Sequence, residues 1–274
     1  MPALKITQLY IYPIKSLGAL ALPEAHMDIQ GLAGDRRYML VDEHGKFITQ
    51  RSRPDLTRFQ LRAHSDGFLV EDRKTGQTKC LHTSVKLGES MPVELWEDHL
   101  EARLVLEDWS PWFSQLLNER VFLVHLTDAS PRFIQDKYQT PLSKESSFAD
   151  ALPILLCSEA SYEALEIQLG AQVDRLRFRP NIIVSGANAF AEDGWKQIQV
   201  GTVQLMGAKP CARCQLITVH PHQGTIQKEV LQALSQIRKI GNKVYFGQQF
   251  VPQILGKLVV GDRIRVQVEQ DAVY

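Results

Sequence analysis

The sequence has an excess of neither charge sign and no long hydrophobic run. Its 274 residues include 31 lysines and arginines against 31 aspartates and glutamates, so its formal net charge is zero. A neutral chain lacks the broad basic field of a nucleic-acid-binding or peripheral membrane protein. No apolar run approaches the roughly 18 residues of a membrane helix, and the N-terminus lacks the charged and apolar regions of a signal peptide. We therefore expect a cytoplasmic protein whose partners are neither nucleic acids nor membranes.

Cysteine is scarce, and several common site motifs are missing. Two of the four cysteines, Cys80 and Cys157, stand alone, so the chain does not have the disulfide framework of a small secreted protein. It contains no glycine-rich phosphate loop, no dinucleotide-binding fingerprint and no Gly-x-Ser-x-Gly elbow. The sequence therefore carries the signature of neither a common nucleotide-binding fold nor an α/β-hydrolase.

Short runs of Val, Ile, Leu and Tyr, bounded by turn residues, dominate what is present. They predict strands at residues 6–12, 38–41, 93–96, 121–126, 181–184, 203–206 and 264–268, and a hairpin turn at residues 42–45. Helical spacing predicts helices at residues 109–117, between Ser158 as N-cap and Gly170, and at residues 230–237. We expect a mainly β (α+β) fold, with an N-terminal β-barrel-like region (residues 1–126) packed on a second β-barrel domain (residues 127–274) and a few peripheral helices.

The most informative motif is Pro210-Cys211-Ala212-Arg213-Cys214, which lies between two runs that resemble strands, residues 203–206 and 215–219. A guanidinium beside a thiol favours the thiolate, which binds metals or attacks electrophiles. Four interpretations are open. The pair could belong to a zinc site, although His220 and His222 follow closely for a finger-like loop. It could be a thioredoxin-like pair, which requires a helix after the motif, or two structural cysteines in a hairpin. Finally, a single cysteine could ligate a soft or cofactor-bound metal.

Three polar clusters lie at the ends of predicted strands. Lys15 and Ser16 end the first strand, Arg36 precedes the second, and Arg179 and Asn181 come just before the run Ile182-Ile183-Val184. Ammonium, hydroxyl, guanidinium and amide groups bind phosphate oxygens and the polar edges of heterocycles. The clusters could converge on one anionic ligand, and ordinary surface charge is the alternative for each.

Seven segments, in this order and spacing, resemble the MOSC family in its two-part form with an N-terminal β-barrel region, as in the mitochondrial amidoxime-reducing components and the bacterial YcbX-like proteins. The resemblance covers nearly the whole chain. The segments are Tyr12-Pro13-Ile14-Lys15-Ser16, Asp35-Arg36-Arg37-Tyr38, Leu156-Cys157-Ser158-Glu159-Ala160-Ser161, Phe178-Arg179-Pro180-Asn181-Ile182, Cys211-Ala212-Arg213-Cys214, Phe246-Gly247-Gln248 and Val260-Gly261-Asp262.

The resemblance implies a bound molybdenum cofactor, Mo-molybdopterin. It implies that Cys214 is the metal ligand and catalytic cysteine, and that Asp150 is a catalytic acid beside the metal that accepts or delivers a proton. Its implied cofactor-binding residues are Lys15, Ser16, Arg36, Arg179 and Asn181 around the pterin and phosphate, and Ala212 and Arg213 in the loop around the metal.

The same resemblance implies an oxidoreductase that reduces small N-hydroxylated compounds such as amidoximes and hydroxylamines. The chain has no four-cysteine cluster for an iron–sulfur domain of its own. The resemblance therefore implies a separate electron-donor protein, which would be either a flavoprotein with a ferredoxin or a haem protein. The alternative function is a carrier or transfer module for the cofactor, or for persulfide sulfur on Cys214, without redox turnover. Leu152, Gln249 and Ala187 depart from the pattern of the mitochondrial relatives, so the substrate is open.

Overall fold

The computed structural model describes residues 3–272. The outer ends of the two predicted domains, residues 1–2 and 273–274, lie outside these described residues. Strands occur at all seven predicted positions, and the mainly β fold class is confirmed. The strands are β1 Lys5–Ile11, β2 Leu20–Leu22, β3 Glu24–Asp28, β4 Gly31–Leu32, β5 Tyr38–Val41, β6 Phe59–His64, β7 Gly67–Asp72, β8 Thr78–Leu81, β9 Leu87–Leu95, β10 Asp98–Val105, β11 Phe122–His125, β12 Arg132–Phe133, β13 Glu145–Ser146, β14 Ile154–Ser158, β15 Ile182–Ser185, β16 Trp195–Val200, β17 Val203–Arg213, β18 Lys239–Ile240, β19 Lys243–Ile254, β20 Gly256–Val259 and β21 Ile264–Glu269.

The largest sheet has nine strands in the order β2-β1-β15-β14-β19-β17-β16-β21, with β18 paired to β19. Backbone hydrogen bonds also join the start of β1 to the start of β21, at the opposite side of the sheet: Ile6 N donates to Asp262 O over 2.9 Å, and Ile264 N donates to Leu4 O over 2.9 Å. The sheet therefore curls back on itself, as in a barrel. Because β1 belongs to this sheet, the N-terminal region supplies a strand to the fold of the C-terminal region, and the division at residue 127 stays a prediction.

Within the described residues, four smaller sheets complete the fold, and two of them include strands from the region after residue 127. One has the order β5-β11-β10-β9, and the others are β6-β7-β8, β20-β3-β4 and β12-β13. The predicted turn at residues 42–45 is closed by a hydrogen bond from Gly45 N to Asp42 O of 3.1 Å. The polar stretch after residue 127 contains β12 and β13.

Within residues 3–272, three α-helices lie outside the sheets, at the positions that the sequence predicts. They are α1 Trp109–Leu117, α2 Glu159–Leu169 and α3 Lys228–Arg238. The N-cap Ser158 accepts a hydrogen bond from Ser161 N in its side chain, and Gly170 ends α2 with φ of 74°.

One expectation about the cysteine motif is wrong. Residues 215–219 do not form a strand, because Gln215–Thr218 is a short 3-10 helix whose N-cap is Cys214. The β-branched Ile217 is buried in a hydrophobic cluster with Phe178 and Phe246, and this packing outweighs its local preference for a strand. Cys214 therefore lies at the end of β17, where the chain leaves the sheet.

Candidate functional site

Strand ends that are distant in sequence meet at one pocket. Because β1 and β15 pair antiparallel, with Leu9 opposite Ile182, the segment after β1 lies beside the segment before β15. Ile14 forms a parallel bridge with Tyr38, which brings the start of β5 to the same place. The pocket is lined by all five residues of the three clusters and by further residues of the motifs: Lys15, Ser16, Arg36, Asp150, Arg179, Asn181, Cys211 and Arg213.

Three of these residues have left-handed backbone conformations, which are uncommon outside glycine. Their φ angles are 68° for Ser16, 51° for Arg36 and 53° for Arg179. Each such residue costs about 1–2 kcal/mol, and strained residues of this kind cluster at functional sites. Three non-glycine residues with positive φ line this one pocket. We therefore take the pocket as the candidate site.

The pocket has an excess of positive charge. Lys15 and Arg36 are buried, and Arg179 is half-buried. Arg36 is compensated by its ion pair with Asp35 and donates to Arg179 O over 3.2 Å. Burial lowers the pKa of Lys15 to about 8, although Asp150 opposes the shift. Burial, with repulsion from Arg36, lowers the pKa of Arg179 to about 10. These cations destabilise each other when no anion lies between them.

Arg179 carries the clearest sign of a missing ligand. Its Nη1 donates to Leu17 O over 2.8 Å, and its guanidinium lies 4.0 Å from the centroid of the Tyr12 ring. Its Nη2 is buried and has no hydrogen-bond partner in the described chain. A buried cationic donor without a partner is costly, so this atom is available to an anion.

Asn181 and Arg213, by contrast, are used by the fold. Asn181 Oδ1 accepts a hydrogen bond from Leu155 N over 3.2 Å, and its Nδ2 donates to Tyr10 O over 3.2 Å. Arg213 donates to Phe246 O from Nε and Nη2, over 3.0 and 2.8 Å, and to Phe178 O from Nη1 over 2.9 Å. The sequence places Arg213 beside the Cys214 thiol, but its guanidinium is directed to these carbonyl groups instead.

The cation that contacts Cys214 is Arg51, which sequence reasoning missed. Arg51 Nε lies 3.2 Å from Cys214 Sγ, and its Nη2 lies 3.1 Å from Asp150 Oδ2. Its guanidinium stacks 4.3 Å from the centroid of the Trp96 ring. A signal was present, because Arg51 comes soon after the predicted hairpin turn at residues 42–45 and the apolar residues that follow the turn, so it too is a cation after a predicted extended segment.

Asp150 links the two parts of the site. Its side chain is 47% exposed, and Oδ1 lies 2.5 Å from Lys15 Nζ. Burial alone would raise the pKa of Asp150, but Lys15, Arg51 and Arg36 outweigh burial and hold it well below its usual range. Asp150 is therefore ionised near neutral pH and holds Lys15 and Arg51.

The two cysteines of the motif lie in different surroundings. Cys211 lines the pocket with a half-buried side chain, and burial raises the pKa of its thiol. Cys214 and Ala212 are exposed and line a neighbouring groove of about 530 Å³. Asp150, Cys211 and Arg213 line both, so the groove and the pocket, whose volume is about 90 Å³, adjoin each other.

Two interpretations of the cysteine pair lose support. Residues 3–272 contain no group of three or more His, Cys, Asp or Glu side chains that could hold a metal ion, and His222 pairs with Asp174, so a zinc site with four protein ligands is not formed. The 3-10 helix after Cys214 has only four residues, so a thioredoxin-like arrangement at a long helix is absent from this part of the chain. No helix within residues 3–272 is long and apolar enough to cross a membrane.

Comparison with known proteins gives consistent matches over both halves of the chain. The models of the MOSC N-terminal beta barrel domain and of the MOSC domain match residues 3–120 and 143–265. Mitochondrial amidoxime-reducing component 1 of Mus musculus is 31% identical, over 94% of this chain and 81% of the mouse protein. The molybdenum cofactor sulfurase of Oryza sativa is 26% identical over 88% of this chain, which spans 32% of that protein. The solved structure of YuaD from Bacillus subtilis aligns over 96% of this chain and 94% of its own, with a TM-score of 0.45 and 13% identity.

The family model matches and the mouse relative identify the chain as a member of the MOSC family that carries the MOSC N-terminal β-barrel domain.

Proposed function

We propose that this protein binds the molybdenum cofactor and reduces N-hydroxylated compounds, such as amidoximes and hydroxylamines, with electrons from a separate donor protein. The observation that carries the proposal is the buried, unpartnered Arg179 Nη2 in a cationic pocket beside the exposed Cys214 thiol. The name of the molybdenum cofactor sulfurases supports the cofactor, and the name of the amidoxime-reducing components supports the substrate class.

The residues present suit such a group. The pocket has room for an oxyanion, and Arg179, Lys15 and Ser16 supply positive charge and donors for a phosphate. The adjoining groove has room for a larger ring system beside Cys214, and a thiolate suits a metal that is already bound by dithiolene sulfur. Arg36, Asn181 and Arg213, which bond to the backbone, shape the walls, and Ala212 lies in the loop that holds Cys214.

The cofactor, when bound, would supply the two-electron chemistry that the side chains lack. Conversion of an N–OH compound to the N–H compound and water consumes two electrons and two protons. Asp150 is ionised and paired, and its lowered pKa makes it a poor proton donor and a poor base, so we assign it to holding Lys15 and Arg51. Lys15 lines the pocket but not the groove that contains Cys214, so we assign Lys15 to the anion and assign the supply of protons to solvent in the open groove. Arg51 fixes the Cys214 sulfur.

Metal and pterin content test the proposal, on protein from a host that makes the cofactor. We expect equimolar molybdenum and pterin in the wild type and their loss in Cys214→Ser. The matched control is Cys211→Ser, three residues away, which should keep both. Because Cys214 is exposed, its replacement should leave the free energy of unfolding within about 0.5 kcal/mol of the wild-type value.

Turnover separates the proposal from its alternative. Reduced methyl viologen, as an artificial donor, should support reduction of a hydroxylamine by the wild-type protein. A Cys214 persulfide without molybdenum, or bound cofactor without turnover, would favour the carrier or sulfur-transfer function. Equal loss of molybdenum from both cysteine variants would instead contradict the assignment of a single cysteine ligand.

A further inference from the structure

The surface around Cys214 is strongly basic although the chain as a whole is neutral. Two grooves flank Cys214 and share Arg51, and together they are lined by what we call the basic rim: Arg51, Lys137, Lys209, Lys228, Lys239 and Lys243. Among the residues that line these grooves the only acid is Asp150, which is already paired with Lys15 and Arg51.

The lysines of the basic rim come from separate elements and are not neutralised. Lys228 begins α3, Lys239 follows its end, Lys243 begins β19 and Lys209 lies in β17. Lys228, Lys239 and Lys243 are exposed, as is Lys137. Within residues 3–272 none of the five ammonium groups pairs with a carboxylate. The ammonium groups of Lys137 and Lys209 lie 4.9 and 5.0 Å from the centroid of the Tyr138 ring.

Unpaired surface charge concentrated around one site, in a chain of zero net charge, is typical of electrostatic steering toward that site. Cys214, the proposed metal ligand, is exposed and lines one of these grooves. A partner that delivers electrons must bring its own redox centre close to this position. Transient redox complexes are small and depend on charge complementarity for their rate of association.

We propose that the basic rim is the docking surface of an electron-donor protein with an acidic face. The proposal rests on the proposed function, because it assigns the place where the separate donor binds. A nucleic acid or an anionic membrane would also be attracted by positive charge. The rim, however, lines the groove that contains Cys214, the proposed metal ligand, and the net charge of the whole chain is zero, so we favour the acidic donor protein.

The test reverses three charges at the rim, in the cofactor-loaded protein with Lys228→Glu, Lys239→Glu and Lys243→Glu. The matched control reverses three charges on a surface that lines neither groove, with Arg73→Glu, Lys74→Glu and Lys86→Glu. Hydroxylamine reduction is measured with reduced methyl viologen and with three acidic donors: a ferredoxin, a flavodoxin and a soluble haem protein. Binding to phosphatidylserine vesicles and to a DNA oligonucleotide is measured in parallel.

We expect kcat/KM for at least one donor protein to fall about tenfold or more in the rim variant at low ionic strength. As salt is added, the difference in rate between the wild type and the rim variant should become smaller. Methyl viologen turnover and the control variant should match the wild type. Absence of methyl viologen turnover in the wild type would refute the proposed function itself. If methyl viologen works, the rim proposal is wrong when no acidic donor is accepted, when the rim variant keeps its donor rate, or when only vesicle or DNA binding is lost.

Discussion

Replacing Arg179 by glutamine is expected to weaken anion binding without weakening the fold. The guanidinium has two structural contacts, the hydrogen bond to Leu17 O and the stacking on Tyr12. It also has a buried Nη2 without a partner. Glutamine removes the charge and the structural contacts together, so we expect the stability to change little while the affinity for an anion falls.

The two effects on stability nearly cancel. Loss of the hydrogen bond costs about 1 kcal/mol, and loss of the stacking costs about 0.5–2 kcal/mol. Against this, a pKa of about 10 where 12.5 is usual corresponds to roughly 3 kcal/mol against the charged form. Arg179 is partly exposed, so we take about 1–3 kcal/mol. A base with a lowered pKa in the folded state destabilises that state at every pH below this pKa, so the relief is complete at pH 7.

Affinity has no such compensation. A charge-assisted hydrogen bond contributes about 1.5–3 kcal/mol, so the dissociation constant for sulfate should rise by about 10- to 150-fold. Sulfate is a suitable probe because its charge does not change near neutral pH. The measurements are urea unfolding of the cofactor-free protein and the rise of its melting temperature with sulfate concentration.

Arg213→Gln is the matched control, since Arg213 is also an arginine of the pocket wall but has its donors on Phe246 O and Phe178 O. The Arg213→Gln substitution should lower the free energy of unfolding by about 2–3 kcal/mol, because two carbonyl groups lose a charged donor. The same substitution should leave sulfate affinity nearly unchanged. The reasoning is refuted if Arg179→Gln loses as much stability as Arg213→Gln and still binds sulfate like the wild type.

Two further predictions concern Lys15 and Gly247. Sulfate affinity should be constant below pH 8 and should fall above it, by at most tenfold per pH unit. The reason is that the anion favours the protonated form of Lys15, which faces Asp150, Arg132 and Arg36. Calorimetric titration from pH 6 to 10 checks this, and a Lys15→Met variant that keeps the same pH dependence would contradict it. Gly247→Ala should lower the free energy of unfolding by about 2–5 kcal/mol, since φ is 73° and a Cβ would lie 2.6 Å from Cys157 Sγ. Gly241→Ala is its control: φ is 55° but nothing lies within 4 Å, so urea unfolding should show only about 1–2 kcal/mol of loss, and equal losses would rule out the steric explanation.

Local signals in the sequence predicted the secondary structure well where the cause is local. Ser158 and Gly170 bound α2 because a side-chain oxygen caps its first turn and only a residue tolerant of positive φ ends it easily. The prediction of a strand at residues 215–219 was wrong for the opposite reason, because the conformation of this segment depends on the burial of Ile217 against residues from other elements.

The candidate site could be predicted as a set of residues but not as a set of roles. Arg213 stands next to Cys214 in the sequence, yet its side chain follows the free carbonyl groups of Phe178 and Phe246, which only the folded chain brings within reach. Arg51 stands 163 positions from Cys214 and contacts its sulfur. No spacing rule predicts either outcome, because side-chain direction at a strand end is decided by tertiary partners.

These contacts also show why the site requires both halves of the chain. Residues 127–274 contain Cys214, Asp150 and Arg179, but the cation that holds Cys214 and Asp150, Arg51, belongs to the N-terminal region. Lys15, which pairs with Asp150, also comes from that region, and β1 closes the sheet that positions β15 and Arg179 behind it. The N-terminal region therefore supplies both a strand of the largest sheet and much of the positive charge at the site, so loss of its docking would disrupt the pocket and leave Cys214 without its guanidinium partner.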